Sequence, residues 1–182
     1  MRLMGKSSYN SFGILGGSFD PPHLGHLRLC EIALKKLKLS KIFWVVTKKN
    51  PFKKKAFFSL KKRLYESKKI SKSNKKIKVI YLDKKIRSSR TINVIEYLRK
   101  INKANKIYLL IGSDNLVSFH KWKDYEKIID LCHIVVFSRE GYDKMARKSA
   151  IMESFKNKKI KFIRNKKINI SSTIIRKYYN NQ

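Results

Sequence analysis

A chain of 182 residues, 42% of them hydrophobic, is long enough to bury a core without disulfide or metal staples. Its 45 Lys and Arg against 12 Asp and Glu leave a net charge of +33, but the lysines are spread through almost every segment. That spread argues for solvated surface lysine, with steering of anionic substrates as a by-product, and against a dedicated nucleic-acid stripe. No apolar run approaches the roughly 20 residues needed to span a bilayer, and residues 1–12 lack the apolar centre of a secretory signal, so a cytoplasmic protein without membrane partners is expected. Cys30 and Cys132 are isolated, without metal-ligand spacing, and read as core thiols of a reducing compartment.

In chain order, residues 12–15 form a short apolar run that reads as a first strand. An apolar-periodic helix comes next, through Leu24, Leu27, Cys30, Leu34 and Leu37. Residues 42–46 (IFWVV) are a buried strand by pattern, then comes a basic loop over 47–55. Ser59 is placed to cap a helix carrying Leu60, Leu64, Tyr65 and Ile70. Residues 77–82 read as a third strand, 84–90 as a basic loop, and Thr91 as the cap of a helix bearing Ile92, Ile95, Leu98 and Arg99. A fourth strand at 106–111 stops at Gly112-Ser113-Asp114. A helix at 124–131, a strand at 133–137, a helix at 142–154, a strand at 160–163 and a terminal helix opened by Ser171-Ser172-Thr173 complete the set. Strands alternating with helices at this spacing predict a single-domain, doubly wound α/β fold with a mostly parallel sheet over residues 1–182. Residues 1–12 form an extension leading into the first strand. In such a sheet, ligands sit outside the carboxyl ends of the strands. The glycine loop, Gly112-Ser-Asp114 and Ser138-Arg139 all gather there.

The chain concentrates its special residues in one stretch, GILGGSFDPPHLGH at 13–26, which holds four of the seven glycines, two of the three prolines and two of the four histidines. Gly16 and Gly17 tolerate positive φ and close ligand approach, and Pro21 and Pro22 stiffen the loop after them. His23 and His26, three apart at the start of a helix, share a face beside free N–H groups that favour anions. Taken together, these features predict a phosphate cradle; two surface histidines beside a Gly-Pro turn are the bland alternative.

GGSFDPPHLGHL at 16–27 resembles the HxGH signature of the nucleotidyltransferase superfamily, and ISSTIIR at 170–176 resembles its second signature. Within the superfamily the chain is similar to the bacterial nicotinate-nucleotide adenylyltransferases over most of its length. The features that carry this are PPHLGH, the NPFK loop at 50–53, Arg90-Thr91, IGSDNLVSFHKW at 111–122 and, more weakly, VFSR at 136–139. The resemblance implies a Rossmann-like nucleotidyltransferase fold. It also implies adenylyl transfer from ATP to nicotinate mononucleotide, yielding deamido-NAD and pyrophosphate in NAD synthesis. His23, His26 and Arg176 would be catalytic. Gly16, Gly17, Ser18, Phe19, Gly112, Asp114, Ser171, Ser172 and Thr173 would join them in binding ATP. Thr91, Asp114, Trp122, Lys53 and Arg139 would meet the acceptor, with Trp122 stacking on its ring. Mg²⁺ would be held mainly by ATP phosphates, with no protein metal ligand. His120 and His133 are left as structural or surface residues.

Three other readings stand beside this one. A phosphopantetheine adenylyltransferase shares the phosphate motifs, although it is not expected to carry Asp114 and Trp122 in this arrangement. An enzyme preferring nicotinamide mononucleotide would differ at the ring edge. A basic nucleic-acid-binding protein would explain the charge but not the placement of glycines and histidines.

Overall fold

The computed structural model describes residues 11–48, 56–103, 106–155, 159–165 and 171–180. Lys53, expected to contact phosphate, lies outside the described residues, as do residue 170 of the second motif and most of the 47–55 loop.

The chain begins with β1 (Ser11–Gly17) and α1 (Leu24–Lys36), then β2 (Lys41–Val46) and α2 (Leu60–Ser71). β3 (Ile77–Ile80), α3 (Asp83–Ile86), α4 (Thr91–Asn102) and β4 (Lys106–Gly112) come after them. Next are α5 (Ser113–Val117), a 3₁₀ turn at Phe119–Lys121, α6 (Tyr125–Leu131) and β5 (His133–Phe137). α7 (Asp143–Arg147), α8 (Ala150–Ser154), β6 (Ile160–Ile163) and α9 (Ser172–Asn180) close the order. The six strands lie in the order β3-β2-β1-β4-β5-β6, and every pairing is parallel. The doubly wound prediction therefore holds, and the sheet is wholly parallel among the described strands.

A parallel sheet covered on both faces needs strands apolar on both sides, and the runs at 12–15, 42–46 and 107–111 supply them. Phe12, Ile14, Phe43, Val45, Leu109 and Ile111 point to one face, under α4 and α6. Leu15, Ile42, Trp44, Val46 and Leu110 point to the other, under α1 and α2. Cys30 and Cys132 are buried and free, in line with their reading as core thiols. Burial raises the Cys132 thiol to about 12 and pushes Cys30 higher still, so both stay protonated. His133 stacks on Tyr108 at 5.2 Å, and His120 is exposed.

Several elements differ from the pattern reading, each for a local reason. Thr91 is the first helical residue of α4, with extended Arg90 as its N-cap. The expected 84–90 loop is preceded and partly taken up by the single turn α3, which starts at Asp83 and is ended by Arg87 in the left-handed region at φ 50°. Residues 142–154 form two helices instead of one. Extended Ser149 (ψ 151°) interrupts them while its hydroxyl donates to the Ala146 carbonyl. After β4, Leu116 and Phe119 are fully buried three residues apart, which anchors α5 and the 3₁₀ turn where the sequence suggested only a stop. β3 ends at Ile80, two residues earlier than its apolar run.

The order reverses between β1 and β4, because the chain winds away from β1 toward β2 and away from β4 toward β5. Such a switch point opens a crevice at the carboxyl ends of the strands. Gly17 pairs with Val46 of β2 and Gly112 with Phe137 of β5, so these ends lie at one edge.

Candidate active site

β1 carries its glycines to the edge as extended strand, so neither Gly16 nor Gly17 adopts the positive φ expected of a turn. Their smallness serves instead. A Cβ on Gly16 would meet nothing within 4 Å, leaving its main chain open to approach, whereas one on Gly17 would press on the Phe19 ring at 3.3 Å. Phe19 itself takes the left-handed conformation (φ 47°). This turns its ring inward, 4.9 Å from His26 and edge-on, and 5.0 Å from Trp44.

His23 is the extended N-cap of α1. Its main-chain N–H donates to His26 Nδ1 at 3.1 Å, and the His26 N–H donates to the His23 carbonyl at 2.9 Å. The two imidazoles lie 3.8 Å apart between centroids, tilted by 30°. Because His26 Nδ1 accepts a hydrogen bond, the neutral ring carries its proton on Nε2 and can donate only from there. Burial, assisted by Arg139, lowers the His23 pKa to about 4. Burial, then the neighbouring His23 and Arg139, hold His26 well below the ordinary histidine range. The pair is therefore neutral at physiological pH.

Arg139 lies just past β5. Its Nη1 donates to Asp114 Oδ2 at 2.8 Å, and its main-chain N–H donates to Ser113 Oγ at 2.9 Å and to Asp143 Oδ1 at 3.0 Å. Asp114 and Arg139, read separately from the sequence, form one ion pair joining the ends of β4 and β5. Gly112 leaves room for this pair, since a Cβ on it would push the Asp114 carboxylate aside.

The second motif docks onto the first. Ser171 Oγ accepts from the Ile174 N–H at 3.2 Å and caps α9. Ser172 Oγ donates to the Pro21 carbonyl at 2.8 Å, Arg176 Nη1 donates to the Asp20 carbonyl, and Arg176 Nη2 donates to Thr173 Oγ1 at 3.0 Å. The three hydroxyls thus build the junction, and the first main-chain N–H groups of α9 keep no intrahelical partner.

On the acceptor side the placement is looser. Thr91 sits in the first turn of α4, beside an open cleft of about 550 Å³ lined by Ile86, Arg87, Ser88, Ser89, Arg90 and Asn93. Trp122 is half-buried against Phe119, with rings 5.0 Å apart, and its Nε1 is buried without a partner. Among the described residues, no three His, Cys, Asp or Glu come together to hold a metal. The donors present are imidazole, hydroxyl, guanidinium and main-chain N–H, which suit oxyanions. No described helix is long and apolar enough to cross a membrane.

Two residues escaped the sequence reading. Asp20 (4% exposed) accepts from the Phe57 and Phe58 N–H groups at 2.6 and 2.8 Å. Arg63 (1% exposed) donates to four loop carbonyls. The available signal was a charged residue on the inward stripe of α2, where Arg63, Ser67 and Ser71 recur at intervals of four.

The Cytidylyltransferase-like family profile matches residues 14–178. A probable nicotinate-nucleotide adenylyltransferase of Pelagibacter ubique is 44% identical over 165 residues, covering 91% of this chain and 91% of its own. Another, from Nitratiruptor sp., is 39% identical over 141 residues, 77% of this chain and 79% of its own. Among solved structures, nicotinic acid mononucleotide adenylyltransferase of Plasmodium falciparum, complexed with APC and with NaAD, aligns with a TM-score of 0.71. Its identity is 19%, with 93% of this chain and 83% of that one covered, so that likeness speaks to the fold. The profile match takes in both motifs up to residue 178 and the relatives agree with it: the chain belongs to the nicotinate-nucleotide adenylyltransferases of the cytidylyltransferase-like family.

Proposed function

We propose that this protein, acting as one nucleotidyltransferase domain in the cytoplasm, transfers the adenylyl group of ATP to nicotinate mononucleotide. The products are deamido-NAD and pyrophosphate, in NAD biosynthesis. The observation that carries the reading is the His23–His26 pair, neutral, mutually bonded and set beside Arg139 at the switch point.

The 5′-phosphate oxygen of the acceptor attacks the α-phosphorus, the bond from that phosphorus to the α,β-bridging oxygen breaks, and pyrophosphate leaves with the electron pair. An ionised phosphate needs no general base, so the chain's work is alignment and stabilisation of developing charge. His26, donating from Nε2, and His23 bond phosphate oxygens. Because both imidazoles are neutral, they polarise without exchanging a proton. Arg176 and the free N–H groups at Ser172 and Thr173 meet the β- and γ-phosphates, and the open main chain of Gly16, with Gly17, Ser18 and Phe19, lines the near side. ATP enters as its Mg²⁺ complex, the ion held mainly by phosphate oxygens.

For the acceptor, Trp122 offers a stacking face and Thr91 a donor at the head of α4 for the carboxylate. Asp114 faces ribose hydroxyls, while Arg139, held against Asp114, and Lys53 meet phosphate. β3 lies two strands from β1, roughly 10 Å across the sheet edge, a span suited to a mononucleotide stretched from the histidines to the cleft beside Thr91. The dispersed lysines call for no nucleic-acid partner.

The test supplies Mg²⁺ and ATP with nicotinate mononucleotide, nicotinamide mononucleotide or phosphopantetheine in turn and monitors pyrophosphate release. Turnover is expected to be fastest with nicotinate mononucleotide. Preference for phosphopantetheine would overturn the acceptor assignment, and no turnover with any of them would overturn adenylyl transfer itself.

A further inference from the structure

The guanidinium of Arg63 is buried in α2, and its bonds among the described residues all go to main-chain carbonyls. Nε donates to Phe58 O at 3.1 Å, Nη1 to Ser18 O at 2.6 Å and Thr47 O at 2.8 Å, and Nη2 to Lys48 O at 2.9 Å. No described carboxylate forms an ion pair with it. Burial pushes its pKa down, and the more distant Asp20 and Asp83 push it back up. A charge taken out of water is costly, and an apolar side chain would fill the same place more cheaply. What Arg63 adds is geometric. Its planar fork reaches carbonyls lying in several directions, which the three donors of a lysine, spreading from one point, do not match.

Those carbonyls belong to the segments leaving β1 and β2 at the carboxyl edge and to the residue just before the Ser59 cap of α2. Ser18 immediately precedes Phe19, whose left-handed backbone aims its ring at His26. Asp20, on the same loop, holds Phe57 and Phe58 through its carboxylate and accepts Arg176 at its carbonyl. A continuous chain of bonds and contacts therefore runs from Arg63 through the 18–20 loop to His26 on one side and to α9 on the other.

We propose that Arg63 is a positioning residue for adenylyl transfer, fixing the loop that sets the His26 imidazole and the docking point of Arg176. This role rests on the protein's being an adenylyltransferase. It places the effect of losing Arg63 on kcat, since a donor displaced by about 1 Å costs on the order of 10²-fold in rate.

The test compares the wild-type protein with Arg63→Lys and Arg63→Ala by steady-state kinetics, circular dichroism and ¹⁵N NMR of the histidines. In Arg63→Lys the expected result is a folded protein with kcat lowered about 10- to 100-fold. The acceptor KM should change less than about 3-fold, any rise in the ATP KM should stay smaller than the drop in kcat, and the His26 Nδ1 and Nε2 signals should shift. In Arg63→Ala, added guanidinium at non-denaturing concentration should recover part of kcat. If Arg63→Ala does not fold, Arg63→Lys decides through its kcat and KM split and its His26 signals. A folded Arg63→Lys with kcat near wild type overturns the proposal. So does a loss confined to KM, or one that leaves His26 unmoved, or a folded Arg63→Ala that guanidinium does not rescue. Wild-type protein without turnover would instead refute the adenylyl-transfer reading and leave the kinetics of the variants moot; the His26 signals of Arg63→Lys would then decide the positioning claim alone.

Discussion

At the residue scale the site rests on two imidazoles kept neutral by burial. The unfolded chain titrates His23 near 6.5, while the folded chain holds it near 4. Between those values the unfolded state binds more protons, so the stabilisation is complete above about 6.5 and is lost as pH falls toward 4. His26, lowered by the same burial, adds in the same direction. Replacing His23 by Asn should flatten this dependence, with the drop in Tm between pH 6.5 and pH 4.5 smaller than in wild type by about 3 °C. Parallel Tm–pH curves for the two proteins would mean that His23 is not held neutral. Both histidines were legible in the sequence because their spacing and the glycines before them form an ordered set. Arg63 was not legible, since one arginine among 45 basic residues acquires meaning only from the carbonyls it meets, and those lie as far as 45 positions away.

At the element scale, α9 is the part whose position matters most to the proposed ATP site. It is short and sits on the first motif through Ser172 and Arg176. An edge-on contact of Tyr179 with Phe58 at 5.3 Å and the Lys62 ammonium 5.5 Å over the Tyr179 ring add to this. Arg176 docks the helix, and on the proposed function it also bonds phosphate. Arg176→Ala should raise the KM for ATP about 10-fold or more, as for a lost charge-assisted bond, while raising the KM for the acceptor far less. Steady-state kinetics with each substrate varied in turn would check this, and an unchanged KM for ATP would remove Arg176 from the triphosphate site. The helix was readable from Ser171-Ser172-Thr173, but its resting place was not, because Asp20 and Arg176 are 156 residues apart. The split at Ser149 and the added helix after Gly112 were unreadable for a related reason. Each depends on whether a neighbour buries a particular side chain.

At the scale of the whole molecule, charge is the dominant global quantity. A net +33 with few acidic partners makes the folded surface self-repelling, and the ion pairs among described residues lie on exposed or half-exposed side chains. Screening should relieve this repulsion. The melting temperature is therefore expected to rise as KCl increases from about 20 to 300 mM, with the Debye length shrinking toward a few ångströms. A flat or falling Tm, measured by calorimetry across that series, would show that the lysines are too far apart to repel significantly.

The amino-acid sequence by itself determined the parallel α/β architecture. Buried parallel strands demand continuous apolar runs and the helices between them demand a 3.6-residue period, both local properties. It also marked out the stretch proposed to handle phosphate, since glycines, histidines and a helix start must be consecutive to form a cradle. Only the tertiary structure decided the tautomer of His26, the pairing of Asp114 with Arg139, the seat of α9 and the four carbonyls gathered by Arg63. Apart from the His26 tautomer, set by the loop conformation that brings the His23 N–H onto Nδ1, these are contacts between segments far apart in the chain. Their energies come from burial and from hydrogen bonds that exist only once the six strands have set the loops side by side at one edge.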